Sequence, residues 1–480
     1  MCVCVSPTLT PLLPLPTAGV GDGVAGSGLH VVGDGSAFDG KWRSMRQAAP
    51  AEAFVSPDTG VAVDTLVAVG TASVTLPADF KPHDRLVRGH VTPRLEALRG
   101  GASAATIDWA TAEALAMGSL LAAGHDVRMT GQDAQRGTFS HRHAALTHQG
   151  TGAKYVPLNH LGTPGAGKMH IYSSLLSEFA VLGFEFGYSW ESPSPLVLWE
   201  AQFGDFANGA QIIIDQFVSG SESKWLRQSG MVMLLPHGFD GAGPEHSSAR
   251  IERFLQLVNS QGVARGAAAV DAGAMAAAGH VDKSAAEGIN MLVANPTTPA
   301  NYFHLLRRQV VRPFRKPLVV IAPKALLRHP SALSSLTDMA PGTTFQPVLH
   351  EPAGARAVPR DAVKRVLLTS GKFHLELAAG RPAASPTAIV RVEELAPFPT
   401  AAVMAALAEY PGATEVVWAQ EEPANAGAWT WAEAHLTPGL LATGRPALRY
   451  VGRPALAAPA VGLSKLNKAQ QAFVIDRAFA

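Results

Sequence analysis

The sequence predicts an α/β protein with two domains, each built on a doubly wound, mostly parallel sheet. Short apolar runs that fit buried strands alternate with Ala/Leu-rich or amphipathic stretches that fit helices, and this alternation occurs twice along the chain. The chain has 480 residues, which is long enough for two or three domains with their own cores.

The first alternating block begins at Ile107. Asp108 is a good helix N-cap, and the helix that it opens is predicted to end at Gly124, before a strand over Val127–Met129. Strands and helices then follow in turn: strand Val197–Trp199, a helix from Ala210, strand Met231–Leu235, helices Ser248–Val258 and Tyr302–Gln309, and strand Leu318–Ile321. Residues 263–288 are Ala/Gly-rich and are predicted to be a surface insertion.

The second block occupies the C-terminal third of the chain. It is predicted to contain strand Val366–Thr369, helix Phe373–Ala378, strand Ala388–Val392, helix Ala401–Glu409 and strand Glu415–Ala419. We therefore divide the chain into a disordered leader and linker (1–103, with a short helix around Val91–Leu98), a first α/β domain (104–324) and a C-terminal α/β domain (325–480).

Composition excludes several function classes. The formal net charge is +1, so nothing suggests electrostatic capture of nucleic acid or of an anionic membrane. No apolar run approaches the roughly 20 residues of a membrane-spanning helix. The only cysteines, Cys2 and Cys4, exclude a disulfide framework and a cysteine-ligated zinc site, which indicates a reducing compartment. Residues 1–40 contain no Lys or Arg and resemble neither a mitochondrial presequence nor a secretory signal.

The loop after strand Val197–Trp199 is the first candidate site. Loops at the carboxyl ends of parallel strands hold the ligand sites of α/β proteins. Phe203 and Phe206 lie in this loop beside Gln202, and aromatic faces in that setting suit a flat heterocycle. The two rings equally suit a plug that fills the gap beneath the loop.

Three further segments carry titratable groups with open roles. His141 and His143 follow a strand and fit either a proton carrier or an ordinary surface loop. Glu178 begins a helix, where the helix dipole alone would favour a carboxylate. His246 lies just before a helix and fits either proton transfer or capping of that helix.

Taken together, these segments resemble the decarboxylating component of the 2-oxoglutarate dehydrogenase family. The matching segments are Gly131–Ala144, Tyr155–Leu161, Leu198–Phe217, Met233–Leu257, Ile321–Pro330, Gln420–Trp429 and Tyr450–Ala455. The resemblance runs from Asp39 to the C-terminus and is interrupted by residues 263–288. It implies a transketolase-like fold, of which this chain resembles the pyrimidine-binding and C-terminal domains; the diphosphate-binding domain has no counterpart.

The resemblance also implies a thiamin diphosphate site. Glu178 matches the glutamate that hydrogen-bonds the N1′ nitrogen of the cofactor's pyrimidine. Leu176 and Gln202 match positions of the pyrimidine pocket, and Phe206 matches the aromatic residue that stacks on the ring. His246 matches the histidine that faces the substrate. The implied catalytic residues are therefore Glu178 and His246.

No metal site is expected within the chain itself. Thiamin diphosphate enzymes hold Mg²⁺ with Gly-Asp-Gly followed roughly 25–30 residues later by Asn, since this hard cation takes oxygen ligands. Two such triplets, Gly21–Gly23 and Gly33–Gly35, occur here, but the first asparagine of the chain is Asn159. We interpret the triplets as linker and expect Mg²⁺ only through a missing or partner diphosphate-binding domain, supplied by a homodimer or by another chain.

The implied activity is decarboxylation of 2-oxoglutarate in the tricarboxylic acid cycle, with transfer of succinyl to the lipoyl group of the acyltransferase component. Two alternatives remain: a 2-oxoadipate dehydrogenase component, and a non-catalytic or truncated fragment that acts as an assembly subunit. The family implies the mitochondrial matrix in a eukaryote and the cytoplasm in a bacterium. Lys324, Arg328 and His329 form a basic group that we predict to be a solvated turn.

Overall fold

A computed structural model describes residues 38–259, 288–352, 355–356 and 358–480 of the chain. The predicted insertion at 263–288 lies outside the described residues except for Gly288, and so do both Gly-Asp-Gly triplets and the two cysteines. Within the described ranges, none of the helices is both long enough and apolar enough to cross a membrane.

The strands are numbered in chain order. They are β1 (Val127–Gly131), β2 (Leu146–Thr147), β3 (Lys154–Tyr155), β4 (Met169–Ser173), β5 (Leu196–Glu200), β6 (Val232–His237), β7 (Leu292–Ala294), β8 (Leu318–Pro323), β9 (Val348–His350), β10 (Arg365–Thr369), β11 (Thr387–Val392), β12 (Glu394–Ala396), β13 (Glu415–Pro423) and β14 (Arg449–Arg453). A seven-stranded sheet has the order β12-β7-β8-β6-β5-β1-β4, and a five-stranded sheet has the order β14-β13-β10-β11-β9. Neighbouring strands are parallel except at the β12–β7 and β11–β9 pairs. The predicted α/β class with mostly parallel sheets is confirmed.

The helices follow the same numbering. They are α1 (Val63–Ala72), α2 (Thr92–Arg99), α3 (Trp109–Ala122), α4 (Glu178–Glu191), α5 (Ile251–Gln256), α6 (Pro299–Val311), α7 (Phe373–Gly380), α8 (Thr400–Ala408), α9 (Trp429–Ala442) and α10 (Ser464–Phe479). Asp108 caps α3 as predicted, because its carboxylate accepts a hydrogen bond from the Thr111 backbone N–H. The helix predicted from Ala210 is present as a continuous helical segment, α-helical over Gln211–Ile213 and π-helical over Ile214–Val218.

The central strands are apolar without interruption because helices cover both faces of the sheet. Side chains of β5 alternate between two cores: Leu198 joins the core that contains α3 and α6, while Trp199 joins the core that contains α4. The second of these cores continues into the C-terminal sheet through Val366 and Val390 of β10 and β11. The two sheets therefore share one hydrophobic core.

One strand of the C-terminal part joins the first sheet. Although the predicted boundary near residue 324 falls directly after β8, β12 pairs with β7 at the edge of the seven-stranded sheet. The buried Glu393 carboxylate, next to β12, accepts hydrogen bonds from the Thr297 backbone N–H at 2.7 Å and from the Asn301 side chain at 2.9 Å. These bonds hold the end of β11 and the start of β12 against α6.

The prediction of a disordered linker is wrong for residues 63–99. Helix α1 packs on α3, and Leu66 and Val69 are buried in the core of the first domain. A Cβ on Gly118 would lie 2.4 Å from a Val69 methyl carbon, and a Cβ on Gly70 would lie 2.7 Å from a Leu98 methyl carbon. Gly70, part of the glycine content that suggested a linker, instead permits close contact between helices.

Candidate functional site

The ends of three neighbouring strands place the predicted segments side by side. β1, β5 and β6 are adjacent and parallel in the sheet, so the loops that follow them leave the same edge. These loops carry His141, Phe206 and His246 respectively. The sheet thus unites three segments that are far apart in sequence.

An aromatic cluster forms where these loops meet, and we define it as Phe139, Phe203, Phe206 and His246. The Phe203 ring meets the His246 ring edge-to-face at 4.4 Å between centroids, and meets the Phe139 ring at 5.6 Å. Phe206 lies 5.8 Å from His246 and 6.1 Å from Phe203, again edge-to-face. Phe203 therefore packs between loops, as the plug interpretation expects, while the partly exposed Phe206 packs on only two of the other rings of this cluster.

Asp205, and not His246, accepts hydrogen bonds from the backbone that precedes α5. Its Oδ1 accepts hydrogen bonds from the backbone N–H groups of Ser247 and Ser248 at 3.1 and 3.0 Å. Capping is therefore not the role of the His246 ring, whose neighbours are the phenylalanines. The predicted helix over Ser248–Val258 begins later, at Ile251, because Arg250 has a left-handed backbone conformation with φ of 59°.

Lys324 binds the backbone of the loop after β6. The prediction that Lys324 lies in a solvated turn is therefore wrong. Its Nζ donates hydrogen bonds to the carbonyl oxygens of Gly238 at 2.7 Å and His246 at 2.6 Å. Only 8% of its side chain is exposed, and this burial lowers the pKa of the ammonium group. Arg328 is exposed, as predicted, and donates hydrogen bonds to the carbonyls of Phe139 and Ser140.

Glu178 is the first residue of α4 and lies against the loop after β5. A Cβ added to Gly209 would lie only 3.2 Å from Glu178 Oε2, so the turn Gly204–Ala210 passes directly beside this carboxylate. The same turn carries Phe206. Leu176, two residues before Glu178, is 63% exposed, and the partly buried Gln202 precedes Phe203.

A buried network of ion pairs connects the segments that carry these loops. Arg142 donates to Glu113 through Nε at 2.6 Å and to Glu200, at the end of β5, through Nη1 at 2.8 Å and Nη2 at 2.5 Å. Its Nη1 also donates to the Ala134 carbonyl at 3.0 Å, and the Tyr302 hydroxyl donates to Glu113 at 2.9 Å. The two carboxylates raise the pKa of Arg142, although burial opposes them, and Arg142 lowers the pKa of Glu113 against the effect of burial. The network ties the loop after β1 to the loop after β5.

A second buried pair joins the site to the C-terminal sheet. Nε2 of His237 lies 2.9 Å from Glu422, and its Nδ1 accepts a hydrogen bond from the Ala249 backbone N–H at 3.1 Å. Because Nδ1 is an acceptor, Nε2 carries the proton and donates it to the carboxylate. No role was predicted for these two residues, because both lie beyond the apolar runs predicted as strands Met231–Leu235 and Glu415–Ala419.

The residues present fit a flat aminopyrimidine. A carboxylate can accept from or donate to a ring nitrogen, an amide can bond an exocyclic amine, and Phe206 offers a ring face. Glu178, Gln202 and Phe206 lie on one loop-and-helix unit, and the glycine at 209 leaves room for the carboxylate beside the turn. Among residues 38–259, 288–352, 355–356 and 358–480, no three His, Cys, Asp or Glu side chains group to hold a metal ion.

Comparisons with known proteins agree with this geometry. Residues 105–330 match the family model for the transketolase pyrimidine-binding domain, and residues 333–479 match the model for the 2-oxoglutarate dehydrogenase C-terminal domain.

Curated relatives cover nearly the whole chain. It is 49% identical over 434 residues (90% of this chain, 43% of the relative) to a 2-oxoadipate dehydrogenase complex component E1 of Xenopus laevis. It is 47% identical over 443 residues (92% and 45%) to the human protein of that name. It is 48% identical over 415 residues (86% and 41%) to a 2-oxoglutarate dehydrogenase E1 component of Rickettsia conorii.

The chain spans less than half the length of these relatives. Its two matched segments follow one another with a gap of two residues. The chain thus comprises a transketolase-type pyrimidine-binding domain followed by a 2-oxoglutarate dehydrogenase C-terminal domain, and most of its length is similar to E1 components of 2-oxoadipate and 2-oxoglutarate dehydrogenases.

Proposed function

We propose that this chain forms the pyrimidine-binding half of a thiamin diphosphate site in a 2-oxoacid dehydrogenase. The observation that carries the proposal is the position of Glu178 beside the turn that holds Phe206, at the sheet edge where His246 also lies. The other half of the site, with the diphosphate and Mg²⁺, would come from a diphosphate-binding domain across an interface, in a homodimer or from a partner chain.

Glu178 is the residue that would control the proton of the pyrimidine. Thiamin diphosphate, when bound, supplies an acidic thiazolium C–H carbon that adds to the 2-oxo group and accepts the electrons released on decarboxylation. The Glu178 carboxylate would hold a proton at the pyrimidine N1′ nitrogen, which makes the 4′-nitrogen basic enough to take the proton from that carbon. Gly209 keeps the turn close enough for this carboxylate to approach the ring edge.

The remaining site residues would bind and orient. Phe206 would stack on the pyrimidine, Gln202 would bond its polar edge, and Leu176 would cover its far side. His246 would face the substrate, where its imidazole would bind the carboxylate or transfer a proton. Lys324 fixes the backbone carbonyl of His246 and so limits the positions open to the imidazole.

For the substrate we favour 2-oxoglutarate, with transfer of succinyl to the lipoyl group of an acyltransferase component. Several relatives are named 2-oxoadipate dehydrogenase complex component E1, and these names favour 2-oxoadipate as a second candidate substrate. One methylene separates the two acids, and an apolar pocket distinguishes such pairs by only about 1–3 kcal/mol. In a eukaryotic cell the enzyme would work in the mitochondrial matrix, and in a bacterium in the cytoplasm.

Reconstitution tests the half-site directly. The chain should release no CO₂ from 2-oxoglutarate by itself, with thiamin diphosphate, Mg²⁺ and ferricyanide as electron acceptor. Co-expression with the segment of the Rickettsia conorii relative that this chain does not match should restore turnover; we call this pair the assembled enzyme. Turnover by the chain alone would refute the half-site. An assembled pair that forms but is inactive would favour a non-catalytic assembly subunit.

Competition decides the substrate. The assembled enzyme would receive 2-oxoglutarate and 2-oxoadipate together, and the two acyl products would be quantified on a lipoyl acceptor domain. A ratio of kcat/KM values above about tenfold for 2-oxoglutarate, within the range that one methylene permits, supports the first candidate. The reverse ratio supports 2-oxoadipate.

A further inference from the structure

A large basic cavity lies beside the loop that connects β1 to the rest of the first domain. Its volume is about 820 Å³, and its wall combines the segment before α2, the loop Ser140–His143 and the turn that follows β8. Phe139 of the same loop belongs to the aromatic cluster. The proposed function assigns no role to this cavity.

The charge of the cavity wall is positive. Arg85, Arg94 and Arg328 line it, and Asp108 is the one carboxylate among the described residues of the wall. Asp108 is already engaged as the N-cap of α3 through the Thr111 N–H. Arg94 is 95% buried, and its guanidinium is held in place by Thr111 Oγ1 at 3.2 Å and Ser73 Oγ at 3.1 Å. A fixed, planar guanidinium is well suited to carboxylate and phosphate groups.

Two buried histidines of the wall have ring nitrogens without partners. His90 and His141 are 91% and 92% buried, and among the described residues neither His90 Nε2 nor His141 Nδ1 makes a hydrogen bond. Both nitrogens have less than 1 Å² of accessible surface, and His141 Nδ1 faces Gly137, so the two rings form a fixed part of the wall and their unpaired nitrogens do not face the cavity. Two further histidines line the cavity: His329, and His143, whose ring lies 4.9 Å from that of His90.

From these contacts we infer that the cavity binds a small organic polyanion through phosphate or carboxylate groups. Arg94 would anchor one anionic group at the base, and Arg85 and Arg328 would hold a second at the exposed rim. Apolar side chains of the wall, such as Leu327 and Leu333, leave space for an uncharged part of the ligand. The volume is within the range of small-molecule sites.

The electrostatics of the histidines agree with this inference. Burial is the largest cause that lowers the pKa of His90 to about 2 and that of His141 to about 3, and nearby arginines lower both further. Both rings are therefore neutral, and the positive charge of the wall comes from its arginines.

Calorimetric titration of the purified chain with pyrophosphate and with tricarballylate tests the site and separates the two anion chemistries. We expect at least one probe to bind saturably. The double variant Arg85→Gln/Arg328→Gln should weaken binding at least about tenfold, because each charge-assisted hydrogen bond contributes about that factor. The control Arg88→Gln/Arg136→Gln removes two exposed arginines that do not line the cavity and should leave affinity within about twofold.

Binding of pyrophosphate alone would assign a phosphate-bearing ligand, and binding of tricarballylate alone a carboxylate-bearing one. Equal weakening by the two double variants, or no binding of either probe, would overturn the inference. Because Arg328→Gln also removes bonds to the loop backbone, histidine ring signals of the wild-type chain provide a second measurement. Titration should shift the NMR signals of His90 and His141 and leave that of His435, which does not line the cavity, unchanged. Unchanged His90 and His141 signals at saturation would also overturn it.

Discussion

Replacement of Arg142 by Met should destabilise the chain strongly and displace the loops that build the candidate site. Arg142, Glu113 and Glu200 have side chains only 3%, 2% and 6% exposed, and the guanidinium makes four hydrogen bonds to the two carboxylates and one to the Ala134 carbonyl. Loss of one member of a buried ion pair costs about 3–5 kcal/mol, since the remaining charge stays buried without compensation. Here two carboxylates remain, so we expect a loss at the upper end of that range at pH 7.5.

Urea unfolding followed by tryptophan fluorescence measures this free energy. The loss should be smaller at pH 5.5, because burial raises the pKa of the Glu113 carboxyl once Arg142 no longer opposes it, and a proton can then neutralise this group in the variant. The triple variant Arg142→Met/Glu113→Gln/Glu200→Gln should recover part of the loss. Arg136→Gln is the matched control, since Arg136 lies in the same loop in an exposed pair with Asp133 and should cost less than about 1 kcal/mol. A cost for Arg142→Met no larger than that of the control would refute the network's role.

Three further predictions concern the site and its supports. Gly209→Ala should reduce kcat/KM of the assembled enzyme about tenfold, because a Cβ 3.2 Å from Glu178 Oε2 displaces the carboxylate. The control Gly187→Ala, on α4 with open space at its Cβ, should not reduce kcat/KM, and equal values for the two variants would contradict the prediction. Asp205→Ala should lower the free energy of unfolding by about 1–2 kcal/mol, because it leaves the Ser247 and Ser248 N–H groups without their hydrogen-bond acceptor. Asp205→Asn keeps an acceptor and should cost less in the same urea assay. Burial lowers the pKa of His141 to about 3, so between about pH 6.5 and 3 the unfolded chain binds a proton that the folded chain does not. The free energy of unfolding should therefore fall as the pH decreases below 6.5, and His141→Gln should remove up to about 1.4 kcal/mol per pH unit from that slope in urea titrations. Parallel curves for the variant and the wild type would contradict this.

The fold class was predictable because it depends on local pattern. Short apolar runs in strands such as β5 and caps such as Asp108 act over a few residues, and the structure agrees with them. Short strands without that pattern were missed, among them β4, β7 and β12, since their place depends on neighbours distant in sequence. Helix α2 was predicted, but α1 was missed because the close contacts at Gly70 and Gly118 depend on which helices meet.

The residues of the candidate site stay predictions, whereas the contacts that support its loops were not predicted at all. Resemblance indicated Glu178, Phe206 and His246, and the structure places these residues around neighbouring loops. The support from Lys324 and from the Arg142 network could not be read from sequence, because a lone charged residue is equally compatible with an exposed turn and with a buried ion pair. Only the tertiary partners distinguish the two.

The role of Glu178 is tested most directly by the decarboxylation rate of the assembled enzyme carrying Glu178→Gln. The substitution keeps the size of the side chain and removes its ability to hold a proton at the pyrimidine N1′ nitrogen. Glu191→Gln, at the exposed far end of the same helix, makes the same change in charge and is the matched control.

We expect Glu178→Gln to lower kcat by about 10²–10⁴-fold, the range of general acid–base catalysis, while thiamin diphosphate still binds and the control keeps the wild-type rate. A Glu178→Gln enzyme that retains more than about a tenth of the wild-type kcat would contradict the proposed site.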